Sequence, residues 1–142
     1  MSWSNWKNIE IKSNYYGCAV YQTRLVDGSG KVISIDRFLR NDKDGIISIG
    51  KTKNMEERRR DFLRGINKGS SHSSANLFYL MKNNCHNFKK KYRNFQIQYR
   101  FKVVSDKNLE KEEEKLIKDY FKKFGELPLL NSSIPNKYDN WK

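Results

Sequence analysis

The 142-residue sequence has no apolar run approaching the roughly 20 residues that a bilayer-crossing helix needs. Its first residues, MSWSNWKNIE, lack the apolar core of a secretory signal. Cysteine is scarce as well. Cys18 and Cys85 are too few for a disulfide framework or a cysteine-based zinc cluster. These absences exclude membrane-spanning and disulfide-scaffold classes and point to a reduced, cytoplasmic protein with no membrane partner. Negative charge is the fourth scarcity: 29 Lys and Arg face 16 Asp and Glu, a net charge of +13. Phe62 to Ser105 holds no acidic residue at all, while Arg64, Lys68, Lys82, Lys89, Lys90, Lys91, Arg93, Arg100 and Lys102 fall inside it. Such a stretch suits a surface that meets phosphates, where a carboxylate would repel the ligand. A plain solvated basic face is the competing reading. The length suits one domain around one core.

What is present reads as alternating strands and helices. Cys18–Val26 is a strand, Asp27-Gly28-Ser29-Gly30 a turn, and Lys31–Phe38, with Val32, Ile33 and Ile35, a second strand that completes a hairpin. Gly45–Thr52, GIISIGKT, fits the letters of a nucleotide-binding P-loop. That loop must be flexible to aim its N–H groups at phosphates, yet Ile46, Ile47 and Ile49 are β-branched and stiff. No apolar strand precedes them either, so the segment reads as a strand entering a turn. Asn54 caps a helix whose first turn carries Glu56 and Glu57. A polar loop over Gly69–Ser74 and a short helix over about Ala75–Lys82 follow. Phe95, Ile97, Tyr99, Phe101 and Val103 then alternate with polar or basic residues, the mark of a half-buried strand. A long helix over about Lys107–Phe124 places Leu109, Leu116, Ile117, Tyr120 and Phe124 on one stripe. Leu127–Asn131 closes against the body and Ser132–Lys142 reads as a tail. The fold class is α+β, a small mixed or antiparallel β-sheet flanked by helices.

Glu113 does not belong on that last helix. It follows Leu109 by four residues and precedes Leu116 by three and Ile117 by four, so it sits within the apolar stripe. Glu110, Glu112 and Glu114 point elsewhere. A carboxylate there is costly unless it is paired or binds a metal. A stripe-edge glutamate that reaches solvent or meets an arginine is the alternative. Its surroundings carry further signs. Ala19-Val20-Tyr21 in a first strand, Ile49-Gly50-Lys51-Thr52-Lys53-Asn54 leading into a helix, and Arg58 four residues on form one group. Glu113 through Ile117 on a late helix and then Asn131 complete it. In this order and spacing, from about 17 to 131, they resemble the GIY-YIG endonuclease family.

The resemblance implies metal-dependent hydrolysis of DNA phosphodiester bonds by a restriction-type or phage-type enzyme with no further DNA-reading domain. Glu113 would hold Mg²⁺ or Mn²⁺, hard cations suited to a carboxylate, waters and phosphate oxygens. Arg58 would meet charge building on the phosphate. Tyr21 would orient or deprotonate the attacking water, with His72 a second candidate base. Lys51 would steady a phosphate, while Gly50 and Asn131 would shape the site. Lys89, Lys90, Lys91, Arg93, Arg100 and Lys102 are the candidate DNA contacts. Two departures stand out: Ser48 replaces the tyrosine of YIG, and Phe62 takes a position that holds histidine in some members. Cutting both strands with one site per chain favours a homodimer. The rival expectation is a catalytically inactive nucleic-acid-binding module that stacks bases on Tyr92 or nearby aromatics.

Overall fold

A computed structural model describes residues 2–69, 73–91 and 94–131. The chain is α+β. Its elements are β1 (Lys7–Asn8), β2 (Ala19–Val26), β3 (Ile35–Asp36), β4 (Asn41–Asp42), β5 (Ile46–Thr52) and α1 (Met55–Lys68). Then follow α2 (Ser73–Asn84), α3 (His86–Lys91), β6 (Gln96–Val103), a 3₁₀ turn (Asp106–Asn108) and α4 (Leu109–Phe124). One antiparallel sheet has the order β1-β6-β2-β5, and β3 and β4 form a separate two-stranded ribbon.

β2 is the central strand, and its residues are buried on both faces. Ala19, Tyr21 and Leu25 point into a cluster with Met55, Phe62 and Ile66 of α1, Phe78 of α2, Phe88 of α3 and Ile97, Tyr99 and Phe101 of β6. On the opposite face, Ile46 and Ile49 pack on Ile117, Tyr120 and Phe124 of α4, and Val20 packs on Leu109. The sheet therefore lies between α1–α3 and α4, with the periodicity of each element deciding which side chains enter which layer. α1 starts as its sequence dictates: the Asn54 side chain accepts the N–H of Glu57 at 3.1 Å, and Gly69 ends the helix in the left-handed conformation.

Three sequence readings change. Lys31–Phe38 is not the hairpin partner of β2. It touches β2 through the Val26–Val32 bridge and then turns away to pair Ile35–Asp36 with Asn41–Asp42. Both flanks of β2 are instead taken by β5 and β6, which are remote in sequence. Helix α2 runs past the expected end to Asn84, and α3 was not expected, because Phe88 is its single buried anchor in a lysine-rich segment. Ser132–Lys142 lies outside the described residues. Among the described residues no helix is long and apolar enough to cross a membrane.

Candidate active site

The C-terminal end of β5 and the start of α4 frame an open cleft of ≈ 410 Å³, lined by Lys51, Thr52, Lys53, Arg58, Asp106, Leu109 and Glu110. Tyr21 stands behind it in the core, where it meets Arg58. Its ring passes over Gly50: a Cβ on that glycine would come within 2.5 Å of the Tyr21 Cζ and Oη atoms. Gly50 is thus required by a close approach, since its φ is not positive. Tyr21 is 5% exposed, and Arg58 donates a hydrogen bond to its oxygen. Burial pushes the phenol up to about 12, with Arg58 opposing the rise and Glu113 adding to it.

Glu113 is half-buried on α4 behind the cleft wall. Its carboxylate accepts the backbone N–H of Lys51, and it feels the charges of Lys51 and Arg58, both of which line the cleft. Burial raises its carboxyl pKa, Lys51 and Arg58 pull it down, and Glu110 pushes it up again. Tyr21, Arg58, Lys51 and Glu113 therefore converge from β2, α1, β5 and α4.

Asn131 completes the frame. Its side chain accepts the N–H of Ile49 at 3.0 Å and donates to the Ile49 carbonyl at 2.9 Å, while the N–H of Leu130 donates to the Ile47 carbonyl at 2.7 Å. The outward backbone groups of β5 at positions 47, 49 and 51 are thus taken in turn by Leu130, Asn131 and Glu113. A cap of this kind fixes the strand that carries Gly50 and Lys51.

Arg58 and Arg59 have separate fates. Arg59 is 5% exposed and forks onto Glu56, with its Nε 2.9 Å and Nη2 2.6 Å from the two carboxylate oxygens. It also donates to the Ile9 carbonyl at 2.8 Å. Arg59 is a structural ion pair; Arg58 faces the cleft.

Other expected residues are scattered. Ser48 is buried, and its hydroxyl bonds that of Thr23 in the core, so it supplies nothing to the cleft. Phe62 is likewise core. His72 and Arg93 lie outside the described residues, as does Tyr92. Lys102 shares a cross-strand row with Lys51, the two flanking Val20 on the α4 side of the sheet, and its Nζ lies 3.3 Å from Glu112. Arg100 is stacked on Trp3 and Trp6, 4.5 and 4.7 Å from their ring centroids, and donates to Gln22 at 2.9 Å. Lys89 and Lys90 are exposed on α3, which packs through Phe88 on the other face of the sheet and at its far end. Among the described side chains, Lys89 and Lys90 do not share a surface with Arg100 and Lys102. Arg100 is a packing residue rather than an open phosphate contact.

The sequence reading passed over Glu110. It stands on the cleft with its carboxylate 3.5 Å from the Lys51 Nζ. The signal was there, since a residue three before Glu113 shares its side of the helix. Lys53 and Asp106 face each other at 3.8 Å across the same rim.

Among the described residues no group of three His, Cys, Asp or Glu side chains could cage a metal. The carboxylates of the cleft are Asp106 and Glu110, with Glu113 behind them beside Lys51. Mg²⁺ and Mn²⁺ are held by one or two carboxylates together with waters and phosphate oxygens, and a set of this size fits such a cation. No family model, no curated protein and no solved structure matches the chain.

Proposed function

We propose that this chain is a metal-dependent endonuclease of the GIY-YIG type that hydrolyses DNA phosphodiester bonds, in the manner of a compact restriction-type or phage-type enzyme. One observation carries the reading: Lys51 and Arg58 line one cleft, and Tyr21 and Glu113, remote from each other in sequence, meet those two cations from behind it. A buried structural network has no need of two cations lining an open cleft beside a desolvated carboxylate. A nuclease needs both, because phosphoryl chemistry depends on positioned positive charge.

Each residue then has a task. The Arg58 guanidinium has enough N–H groups to hold the Tyr21 oxygen and a phosphate oxygen together. As negative charge grows on the phosphate, those donors are already aimed. Lys51 adds a second positive charge once phosphate displaces Glu110 from it. Tyr21, with its phenol held at about 12, keeps its proton at neutral pH and orients the attacking water. His72, outside the described residues, is the second candidate base by residue type alone. Glu113 and Glu110 would hold the divalent cation, which when bound supplies Lewis-acid stabilisation of the phosphate. Cleavage of supercoiled plasmid with and without Mg²⁺ tests the proposal: nicked or linear product that appears only with the cation is the expected result.

A second reading keeps one specific observation on its side. Ser48, in place of the motif tyrosine, is spent in the core on Thr23. A chain that lost this hydroxyl from the cleft and kept its charge would bind DNA without cutting it. Intact plasmid, bound and retarded at every metal concentration, would decide for that module. For the enzyme we propose a homodimer when both strands are cut, each protomer supplying one site.

A further inference from the structure

The turn between β3 and β4 presents Phe38 at 80% exposure and Leu39 at 58%. Loop tips normally carry small or polar residues, so a large aromatic there calls for a reason. The backbone beneath it is fixed. Arg37 forks onto Glu126, with Nε and Nη2 at 3.0 and 2.9 Å from its two oxygens. The N–H of Phe38 donates to Glu126 at 2.6 Å, and that of Leu39 donates to the Phe124 carbonyl at 3.0 Å. Gly125, left-handed at φ 73°, lets both side chains rest on it: a Cβ there would lie 2.8 Å from the Leu39 Cγ and 3.2 Å from the Phe38 Cδ1. The turn is thus bolted to the end of α4 while its apolar tip points outward.

Charge around the tip selects the partner. The neighbouring depression is lined by Arg40, Lys43 and Lys123 against the single acid Asp44, which already faces Arg24 and Arg100. Asp42 is buried and accepts the Tyr120 hydroxyl at 2.8 Å, and Glu126 is taken by Arg37. Asp36 is the remaining exposed acid on the ribbon. An apolar point ringed by cations suits the base stack and phosphates of DNA. Two side chains are too little area for a stable protein interface, which buries roughly 800 Å² per partner. From Glu113 to Phe124 the α4 axis advances roughly 16 Å. At about 3.4 Å per base pair that rise equals about five base pairs, so the two ends of α4, one at the cleft and one beneath the tip, fall within reach of one duplex.

We infer that Phe38, backed by Leu39, is a wedge that enters a base step of duplex DNA, while Arg40, Lys43 and Lys123 hold the flanking phosphates. The inference rests on the DNA-cleaving reading above. Partial unstacking by an apolar side chain kinks and unwinds the duplex, which opens the backbone to an enzyme.

The test uses the whole chain and a mixed-sequence relaxed plasmid in chelator, with a metal-independent type I topoisomerase present. Wild type should shift the topoisomers toward net unwinding. Phe38→Ala should fold, bind DNA roughly ten-fold more weakly and lose the shift. Phe38→Leu should fold and keep part of it. Arg40→Ala with Lys43→Ala should weaken binding and flatten its salt dependence. Unwinding by Phe38→Ala at the wild-type level overturns the wedge, as does a wild type that cuts plasmid with Mg²⁺ but does not unwind it. A drop in native mass on Phe38→Ala would show self-association instead and overturn it too. A wild type that neither binds nor cuts DNA removes the nuclease reading itself, a separate result.

Discussion

Glu113 accepts the Lys51 N–H and, in the nuclease we propose, would also hold a divalent cation; one substitution separates the two roles. In Glu113→Gln the amide oxygen can still accept that N–H, so the strand end stays fixed, while the charge a cation needs is gone. Cleavage should fall roughly 10³-fold. DNA binding should persist or tighten, and the melting temperature should hold or rise, because a desolvated charge has been removed. Plasmid cleavage beside thermal melting reads both; an unfolded variant would mark Glu113 as structural. Two adjacent arginines should part company in the same assays. Arg58→Ala should slow single-turnover cleavage roughly 10²–10³-fold with little change in affinity. Arg59→Ala should instead destabilise the fold by about 3 kcal/mol, since it leaves the buried Glu56 with the Ser13 hydrogen bonds and only the exposed Arg60, 4.0 Å away, as a cation, and the folded fraction should cut normally. Helix arithmetic found Glu113. It could not show that Arg58 reaches Tyr21, because that contact joins α1 to β2 across the layer.

At the scale of elements, α1 is the joint between the site and the N-terminal segment. Glu56 accepts the Ser13 N–H at 2.8 Å and the Ser13 hydroxyl at 2.9 Å in addition to Arg59, and Arg59 reaches the Ile9 carbonyl. The Arg59 hydrogen bonds, with those from Ser13, hold the Glu56 carboxyl at about 2, below its ordinary 4.5. A carboxyl depressed in the folded state contributes stability that is present above the unfolded value and lost as pH falls through the folded one. Stability should therefore drop between about pH 4.5 and pH 2, a loss on the order of 3 kcal/mol for a shift of this size. Denaturant titrations across that window check it; Glu56→Gln should be less stable at neutral pH and lose less on acidification. Periodicity gave β6 and α4 with their buried faces, while residue type placed β2 and β5 and the Asn54 cap placed α1. The Lys31–Phe38 hairpin was misread because Val32, Ile33 and Ile35 look like a strand whichever partner they meet. Pairing is decided by burial across the sheet, and β2 buries more by lying between β5 and β6. Nothing local announced α3, whose Phe88 gains meaning only beside Phe78 and Phe95.

For the molecule as a whole, charge dictates how it meets a polyanion. A net charge of +13 with no acid from 62 to 105 predicts DNA affinity that falls steeply with salt. A dissociation constant measured over a salt series should give a straight line of log affinity against log concentration, with a slope that counts the phosphates neutralised. A flat line would remove the electrostatic argument. Lys102 in the row of Lys51, and Lys89 and Lys90 at the far end of the other face, divide that charge between two sides, so no single alanine should abolish binding. The composition announced the total; its division needed the sheet, since chain order does not tell which face a strand gives to α4. The stitching of β5 has a further bearing on assembly. A strand at a sheet margin with free amides invites a neighbour's strand to join it, and Leu130, Asn131 and Glu113 occupy the Ile47 carbonyl, both Ile49 groups and the Lys51 N–H. Two copies therefore cannot merge their sheets through β5 into one continuous ribbon. A proposed pair would have to meet elsewhere than along β5, which leaves the cleft beside Lys51 uncovered by a partner's strand.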